Sequence, residues 1–330
     1  MNNLLHLKTI SDLNKFLKKF VHLEYVLHPL VTVVDFCKST GFTNEEISLK
    51  TDFYSIIFTN QYNKSISYGR TTFDFQDGSL VCIPPNRVIT INYDYDIELQ
   101  DDVAGWGLYF HPDLLRGSSL GNKMKDYSFF SYEISEALHV SNVEKQILFD
   151  CIMKIQRELK QNIDSYSEIL IVSNIELLLN YCSRYYGRQF ITRKNANLDV
   201  VSKVKDILKG YFENDEKSDE GMPSVKYIAN KLNLSPCYLS DLLKKETGLN
   251  AQEHIHNFVI EQAKNILLET NQSVSEIAYS LGFNYPQYFS RLFKQKTGIT
   301  PTGFRILNYT SYFKCDSNNT THNKASNHRR

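Results

Sequence analysis

The stretch Ser273-Val-Ser-Glu-Ile-Ala-Tyr-Ser-Leu-Gly-Phe283 repeats an earlier one, Ser224-Val-Lys-Tyr-Ile-Ala-Asn-Lys-Leu-Asn-Leu234, at an offset of 49 residues. After one extra residue the offset becomes 50: Tyr238-Leu-Ser-Asp-Leu-Leu-Lys244 aligns with Tyr288-Phe-Ser-Arg-Leu-Phe-Lys294, and Thr247-Gly248-Leu249 with Thr297-Gly298-Ile299. In the first copy Val225, Ile228, Ala229 and Leu232 fall at i, i+3, i+4 and i+7, one apolar face of a short helix. Val274, Ile277, Ala278 and Leu281 repeat that face. The small alanine lets a second helix cross closely. Ser224 and Ser273 suit the N-cap, and Glu276 completes a capping box. Asn233 and Gly282 stand where the helix must stop, and both types tolerate a left-handed backbone. Ser235-Pro236 restarts a helix, because proline at the first position loses no amide hydrogen bond. Leu239, Leu242 and Leu243 face inward, as do Phe289, Leu292 and Phe293, and a Thr-Gly pair ends each second helix. Each copy reads as a helix-turn-helix.

Between the copies, Ile255, Phe258, Val259, Ala263, Ile266 and Leu267 form the stripe of a longer helix that fixes the two units relative to each other. Upstream the period changes. Residues 50–112 are β-rich, with short candidate strands at 52–59, 66–75, 80–83, 88–91 and 105–110. Asp77-Gly78 is a hairpin signal, and Pro84-Pro85-Asn86 closes a strand. This spacing suggests a sandwich or small barrel. Residues 141–187 are helical in pattern. Ser141-x-x-Glu144 and Ser165-x-x-Glu168 fit capping boxes, and residues 162–164 form the turn between two antiparallel helices. Val143, Ile147, Cys151, Ile155 and Leu159 form one stripe; Ile171, Ile175, Leu178, Leu179 and Cys182 form the other. The hairpin either packs on its own sheet or joins two copies of the chain. Residues 187–197 read as a polar linker, 213–221 as a charged loop and 310–330 as a frayed tail.

With 42% hydrophobic and 22% charged residues, the 330-residue chain can bury a sizeable core. Its net charge is zero but unevenly placed. Residues 1–199 carry 20 basic and 24 acidic side chains; residues 200–330 carry 17 and 13. No apolar run approaches the roughly 20 residues of a membrane span, and no signal peptide is read at the start. The six cysteines include no C-x-x-C pair. A cytoplasmic protein with reduced thiols is the expectation. No Gly-rich phosphate loop, G-x-S-x-G or H-E-x-x-H is present. His111 stands alone, and His254-Ile255-His256 lies on a helix where i and i+2 diverge. No catalytic residue, metal site or cofactor is expected, and the chain reads as a non-enzyme.

Residues 224–305 resemble the DNA-binding domain of the AraC/XylS family of transcription regulators. The motifs are Ile228-Ala229, Ser235-x-x-Tyr238-Leu239-Ser240, Ala263-x-x-x-Leu267-Leu268 and Ile277-Ala278-x-x-Leu281-Gly282-Phe283. They continue with Tyr288-Phe289-Ser290-Arg291-x-Phe293-Lys294 and Gly298-x-x-Pro301-x-x-Phe304-Arg305. The resemblance implies an α+β chain: an N-terminal cupin-like β-barrel or sandwich with a helical hairpin, then an all-α double helix-turn-helix domain. Residues 1–140 would be the cupin-like sensor, 141–190 a dimerising hairpin, and 191–223 a linker with a first helix. Residues 224–309 would be the DNA-binding domain and 310–330 a polar tail. The partners it implies are double-stranded DNA, a second copy of the chain, RNA polymerase and a small-molecule effector. The alternative is a ligand-blind regulator whose N-terminal half serves only dimerisation or protein interaction.

The family's DNA-facing positions fall on Pro236, Cys237, Ser240, Asp241 and Lys244 in the first unit. In the second they fall on Tyr285, Pro286, Gln287, Ser290, Arg291, Lys294 and Lys296. Arg291 suits guanine O6/N7 and Gln287 adenine N6/N7, while Ser240 and Ser290 can read either; the lysines suit phosphates. Asp241 stands where the family commonly has Arg, and Asn257 and Val259 where the linker helix often has Arg-x-Arg. From Ile277 to Cys315 there is no Asp or Glu, so the second unit is expected to supply most of the salt-dependent affinity. An effector would sit in the β domain among Phe53, Tyr54, Phe73, Phe75, Tyr93, Trp106 and Tyr109.

Overall fold

In the computed structural model, which describes residues 4–19, 28–36, 47–59, 78–91, 105–161, 164, 166–192, 194–213 and 221–307, the chain divides into two compact units, 1–193 and 194–330. Among the described residues no helix is long and apolar enough to cross a membrane.

The first unit mixes strands and helices. Strand β1 (Leu4–Leu7) leads into α1 (Ile10–Leu17), β2 (Val31–Asp35), β3 (Ile47–Thr51), β4 (Tyr54–Thr59), β5 (Ser79–Ile83), β6 (Val88–Ile91) and β7 (Gly105–Phe110). Short 3-10 turns and α2 (Ser119–Lys123) then precede β8 (Leu138–His139). The strands form a three-stranded sheet, β1-β3-β6, and a five-stranded antiparallel sheet, β2-β7-β4-β5-β8. Neither closes on itself among the described residues. The strand signals at 52–59, 80–83, 88–91 and 105–110 correspond to β4, β5, β6 and β7. The candidate at 66–75 and Asp77 lie outside the described residues. Strands β1 to β3 and helix α1 gave no clear signal, because each is short and pairs with partners far along the chain.

Register sets what each sheet face carries. Tyr54 pairs with Phe110, Ile56 with Leu108 and Phe58 with Trp106. Strand alternation puts these six on one face, and Ser55, Ile57, Gly107 and Tyr109 on the other. The second face receives α1 in a core of Leu7, Ile10, Leu13, Leu17, Val34, Leu49, Phe53 and Tyr109. On the first face Cys82 of β5, paired with Ile56, meets Cys182. Burial, and then that neighbouring thiol, push the Cys82 thiol well above its usual range.

The hairpin consists of α3 (Asn142–Leu159) and α4 (Ser167–Thr192). Ser141 and Glu144 make the expected capping box. At α4 the cap is Asp164, whose Oδ1 accepts from the Tyr166 amide at 2.7 Å and the Ser167 amide at 3.0 Å; Ser165 and Asn162 lie outside the described residues. The α4 stripe of Ile171, Ile175, Leu178, Leu179 and Cys182 is buried as read. The α3 stripe is rotated. Its buried residues are Leu148, Cys151, Ile152 and Ile155, whereas Val143 is 72% exposed. The expected linker over 187–197 is helical instead. Helix α4 extends to Thr192 and α5 (Lys194–Glu213) follows. Polarity misled there because the amides work inside the structure. Gln189 accepts from the His139 amide at 2.8 Å and donates to the Ala137 carbonyl at 3.3 Å.

The rotated stripe is testable by denaturant unfolding. Leu148→Ala should cost about 2–5 kcal/mol, the usual range for a buried leucine. Val143→Ala should stay within about 0.5 kcal/mol; equal costs would contradict the packing.

Candidate nucleic-acid interface

The second unit holds α5, α6 (Val225–Leu232), α7 (Pro236–Thr247), α8 (Ala251–Glu269), α9 (Val274–Ser280) and α10 (Pro286–Thr297), with a last helical stretch at 301–307. The two copies close their turns with the same bonds. Ser224 Oγ accepts from the Tyr227 amide at 3.1 Å, and Ser273 Oγ from the Glu276 amide at 3.2 Å. The Ser273 amide, and then its hydroxyl, hold the Glu276 carboxyl below its ordinary range. Asn233 and Gly282 take the left-handed backbone at φ 54° and 82°. The Leu234 amide then donates to the Ala229 carbonyl at 3.0 Å, and the Phe283 amide to the Ala278 carbonyl at 2.9 Å. These are the six-to-one bonds of a Schellman cap.

Helix α7 starts on a side-chain cap: Ser235 Oγ accepts from the Tyr238 amide at 3.2 Å. Tyr285 heads α10 without one. Both helices end alike. Thr247 Oγ1 donates to the Leu243 carbonyl and Thr297 Oγ1 to the Phe293 carbonyl, each at 2.8 Å. Gly248 and Gly298 follow in the left-handed region. Inside, Leu239, Leu242, Leu243, Phe289 and Phe293 are buried, and Leu292 is half-buried. Helix α8, opened by an Asn250–Glu253 capping box, runs between the copies and packs against α6, α7, α9 and α10. Its Ile255, Val259, Ala263 and Leu267 are buried, and Phe258 and Ile266 half-buried.

The expected reading positions divide by helical phase. On α7, Cys237, Ser240, Asp241 and Lys244 lie at i, i+3, i+4 and i+7, opposite the buried leucines; Lys244 is exposed and the other three half-buried. Pro236 is exposed at the helix start. On α10, Gln287, Arg291 and Lys294 are exposed at i, i+4 and i+7, with Pro286 and Ser290 half-buried beside them. Lys296 does not join them. Nine residues past Gln287, it sits about 180° around the helix at 3.6 residues per turn. Its charge instead falls near His256. Burial, and then Lys296, hold that imidazole below its ordinary range, as burial and Lys205 do for His254. Arg305 is also removed from the basic face. Its Nε donates to the Leu267 carbonyl at 3.0 Å and its guanidinium reaches the Thr270 carbonyl at 3.3 Å, capping α8. Helix α5 belongs to this unit's core through Val204, Leu208 and Tyr211, and its Asn197 donates to Glu246 at 2.9 Å.

Of the seven expected effector residues, Phe73, Phe75 and Tyr93 lie outside the described residues. The other four are not brought together. Phe53 and Tyr109 meet edge to face on the α1 side. Tyr54 stacks on Phe110, and Trp106 on Phe58, on the opposite side. Alternation along β4 and β7 separates them, so they cannot line one cavity.

Residues 228–306 match the helix-turn-helix domain family. The Msm operon regulatory protein of Streptococcus mutans is 25% identical over 77% of this chain and 84% of its own length. The arabinose operon regulatory protein of Escherichia coli is 24% identical over 71% of this chain and 73% of its own. The C-terminal unit contains an AraC-type helix-turn-helix domain. The uncharacterized regulator YtdP of Bacillus subtilis is 30% identical over 53% of this chain, which spans only 21% of that protein. The solved C-terminal domain of AraT, a response regulator from Geobacillus stearothermophilus, is 30% identical over 33% of this chain and 84% of that one, with a TM-score of 0.29.

Within this AraC-type domain, Gly282 and Gly298, both left-handed, differ in one respect. A Cβ on Gly298 would meet nothing within 4 Å, whereas one on Gly282 would sit 2.4 Å from the Gly221 carbonyl carbon and 2.5 Å from the Met222 nitrogen. Gly298→Ala should therefore cost only the left-handed backbone penalty, about 1–2 kcal/mol. Gly282→Ala should cost clearly more in chemical denaturation; equal losses would show that the Gly221–Met222 backbone yields freely.

Proposed function

We propose that the chain is a sequence-specific transcription regulator of the AraC/XylS type. The observation that carries the reading is the pair of helix-turn-helix copies closed by matching turn bonds within one AraC-type domain. In this reading α7 and α10 enter successive major grooves, about 10 bp apart. Arg291 and Gln287 read bases, Ser240, Asp241 and Ser290 add polar contacts, and Lys244 and Lys294 hold phosphates. Charge favours the second copy. The outward face of α10 carries Arg291 and Lys294 without an acid, whereas on α7 Lys244 shares its face with Asp241.

The N-terminal unit completes the reading as a cupin-like module that pairs two chains, which would place RNA polymerase within reach of a promoter-bound dimer. Exposed Tyr166, just ahead of α4, and Leu170, Leu177 and Ile191 on it recur at spacings of 4, 7 and 14, the a/d and whole-heptad steps of a coiled-coil seam. A small-molecule effector finds support on the α1 side of the sheet. There the buried Asn14 Nδ2 has no hydrogen-bond partner among the described residues, and an unpaired buried donor favours an added acceptor.

Two experiments test this. Selection from a random duplex pool should enrich one motif. On that motif Lys294→Ala should flatten the salt dependence of binding more than Lys244→Ala; no enrichment would refute the function, and a larger change from Lys244 the asymmetry. Leu170→Asp with Leu177→Asp should halve the sedimenting mass, and an unchanged mass would place the dimer elsewhere.

A further inference from the structure

Three side chains spaced three apart form a ladder along α10. Tyr285 and Tyr288 are 63% and 56% exposed. Their rings meet edge to face, with centroids 6.0 Å apart at 62°. The Arg291 guanidinium carbon lies 5.2 Å from the centroid of the Tyr288 ring. Each step therefore braces the next: Tyr285 limits the tilt of Tyr288, and Tyr288 offers its π-face to the cation.

The duplication supplies an internal control. Tyr238 occupies the position of Tyr288, 50 residues earlier, and is only 2% exposed. The positions matching Tyr285 and Arg291 are there Ser235, which caps the helix, and Asp241. The same residue in the same helical register is thus core in one copy and surface in the other. The second copy has a core filled by larger rings: Phe289 packs on Phe283 and Phe293, and Phe293 on Phe304. Leu234, Leu239 and Leu243 stand at three of those positions in the first copy. With phenylalanines filling the interior, the second tyrosine is free to lie outside.

We propose that Tyr288 is a positioning residue for base reading, holding the Arg291 fork in one orientation. An arginine on a free stem samples many rotamers, and each must be given up when it makes a bidentate contact. A guanidinium already stacked on a ring has given up most of them before it meets a guanine edge. Preorganisation of this kind raises affinity and discrimination at one base position without any new contact. The inference rests on the reading of α10 as a major-groove helix, and sharpens it by naming what aims the reading arginine.

The test uses the full chain and a random duplex pool. Arg291→Ala should remove the preference at one guanine of the enriched motif. Tyr288→Leu should weaken discrimination at that same position about two- to fivefold, the fold-change of an exposed cation–π contact, and leave the others intact. Tyr288→Phe, which keeps the π-face, should retain it. A second readout needs no DNA. The Arg291 Nε–H resonance should be shifted upfield by the ring current in the parent protein and in Tyr288→Phe, and should lose that shift in Tyr288→Leu. The proposal is overturned if Tyr288→Leu keeps full discrimination, if Tyr288→Phe loses as much as Tyr288→Leu, or if the resonance is the same in all three. Failure of the parent protein to enrich any duplex would instead refute the DNA-binding function itself, and the inference with it.

Discussion

One left-handed residue closes each helix-turn-helix of this chain, and the rest of the C-terminal unit is arranged around those two turns. Asn233 and Gly282 let the backbone reverse so that the following amide reaches the alanine carbonyl five residues back. That bond fixes where the second helix leaves. The fully buried Ala229 and Ala278 then let it cross at close range. The turns are not equivalent in their surroundings. Asn233 carries a side chain, whereas Gly282 lies so close to the Gly221–Met222 backbone that no Cβ fits. Tyr211 donates to the Gly221 carbonyl at 2.8 Å, tying α5 to the same joint. The segment entering the first copy is thereby packed on the turn of the second, and α8 is not their sole tie.

Duplication kept the scaffold and changed the surface. The serine caps of the first helices, the left-handed turns and the Thr-Gly ends are held in both copies because each satisfies backbone groups that would otherwise be left orphaned. The outward positions carry no such debt and have diverged. Helix α7 is electrically balanced and α10 is cationic. The tyrosine that fills the first core lies on the surface of the second, where phenylalanines occupy the interior. A pseudo-symmetric frame therefore presents two chemically unlike faces.

In the N-terminal unit, register is the deciding feature. Pairing of β4 with β7 gathers large side chains on both faces of a single sheet. One face takes α1 and the other carries Cys82 against Cys182 of the hairpin. With both sides covered, aromatics close in sequence have become core residues of two separate layers, and membership in a common pocket is lost.

Between 224 and 305 the residues alone dictated nearly the whole arrangement of helices and turns. Its caps, its left-handed stops and the 3.6-residue spacing of its apolar faces are local rules, decided within a few residues of each other. The duplication stated them twice. Local rules also marked β4 to β7 and the buried stripe of α4. They could not say that Val143 would stay in water and Leu148 go inside, that Lys296 would turn from the other basic residues toward His256, or that Arg305 would cap α8. They could not send Tyr54 and Tyr109 to opposite faces, or place Tyr288 beneath Arg291. Those outcomes depend on which neighbour arrives from elsewhere in the chain, and only the tertiary structure brings that neighbour into contact.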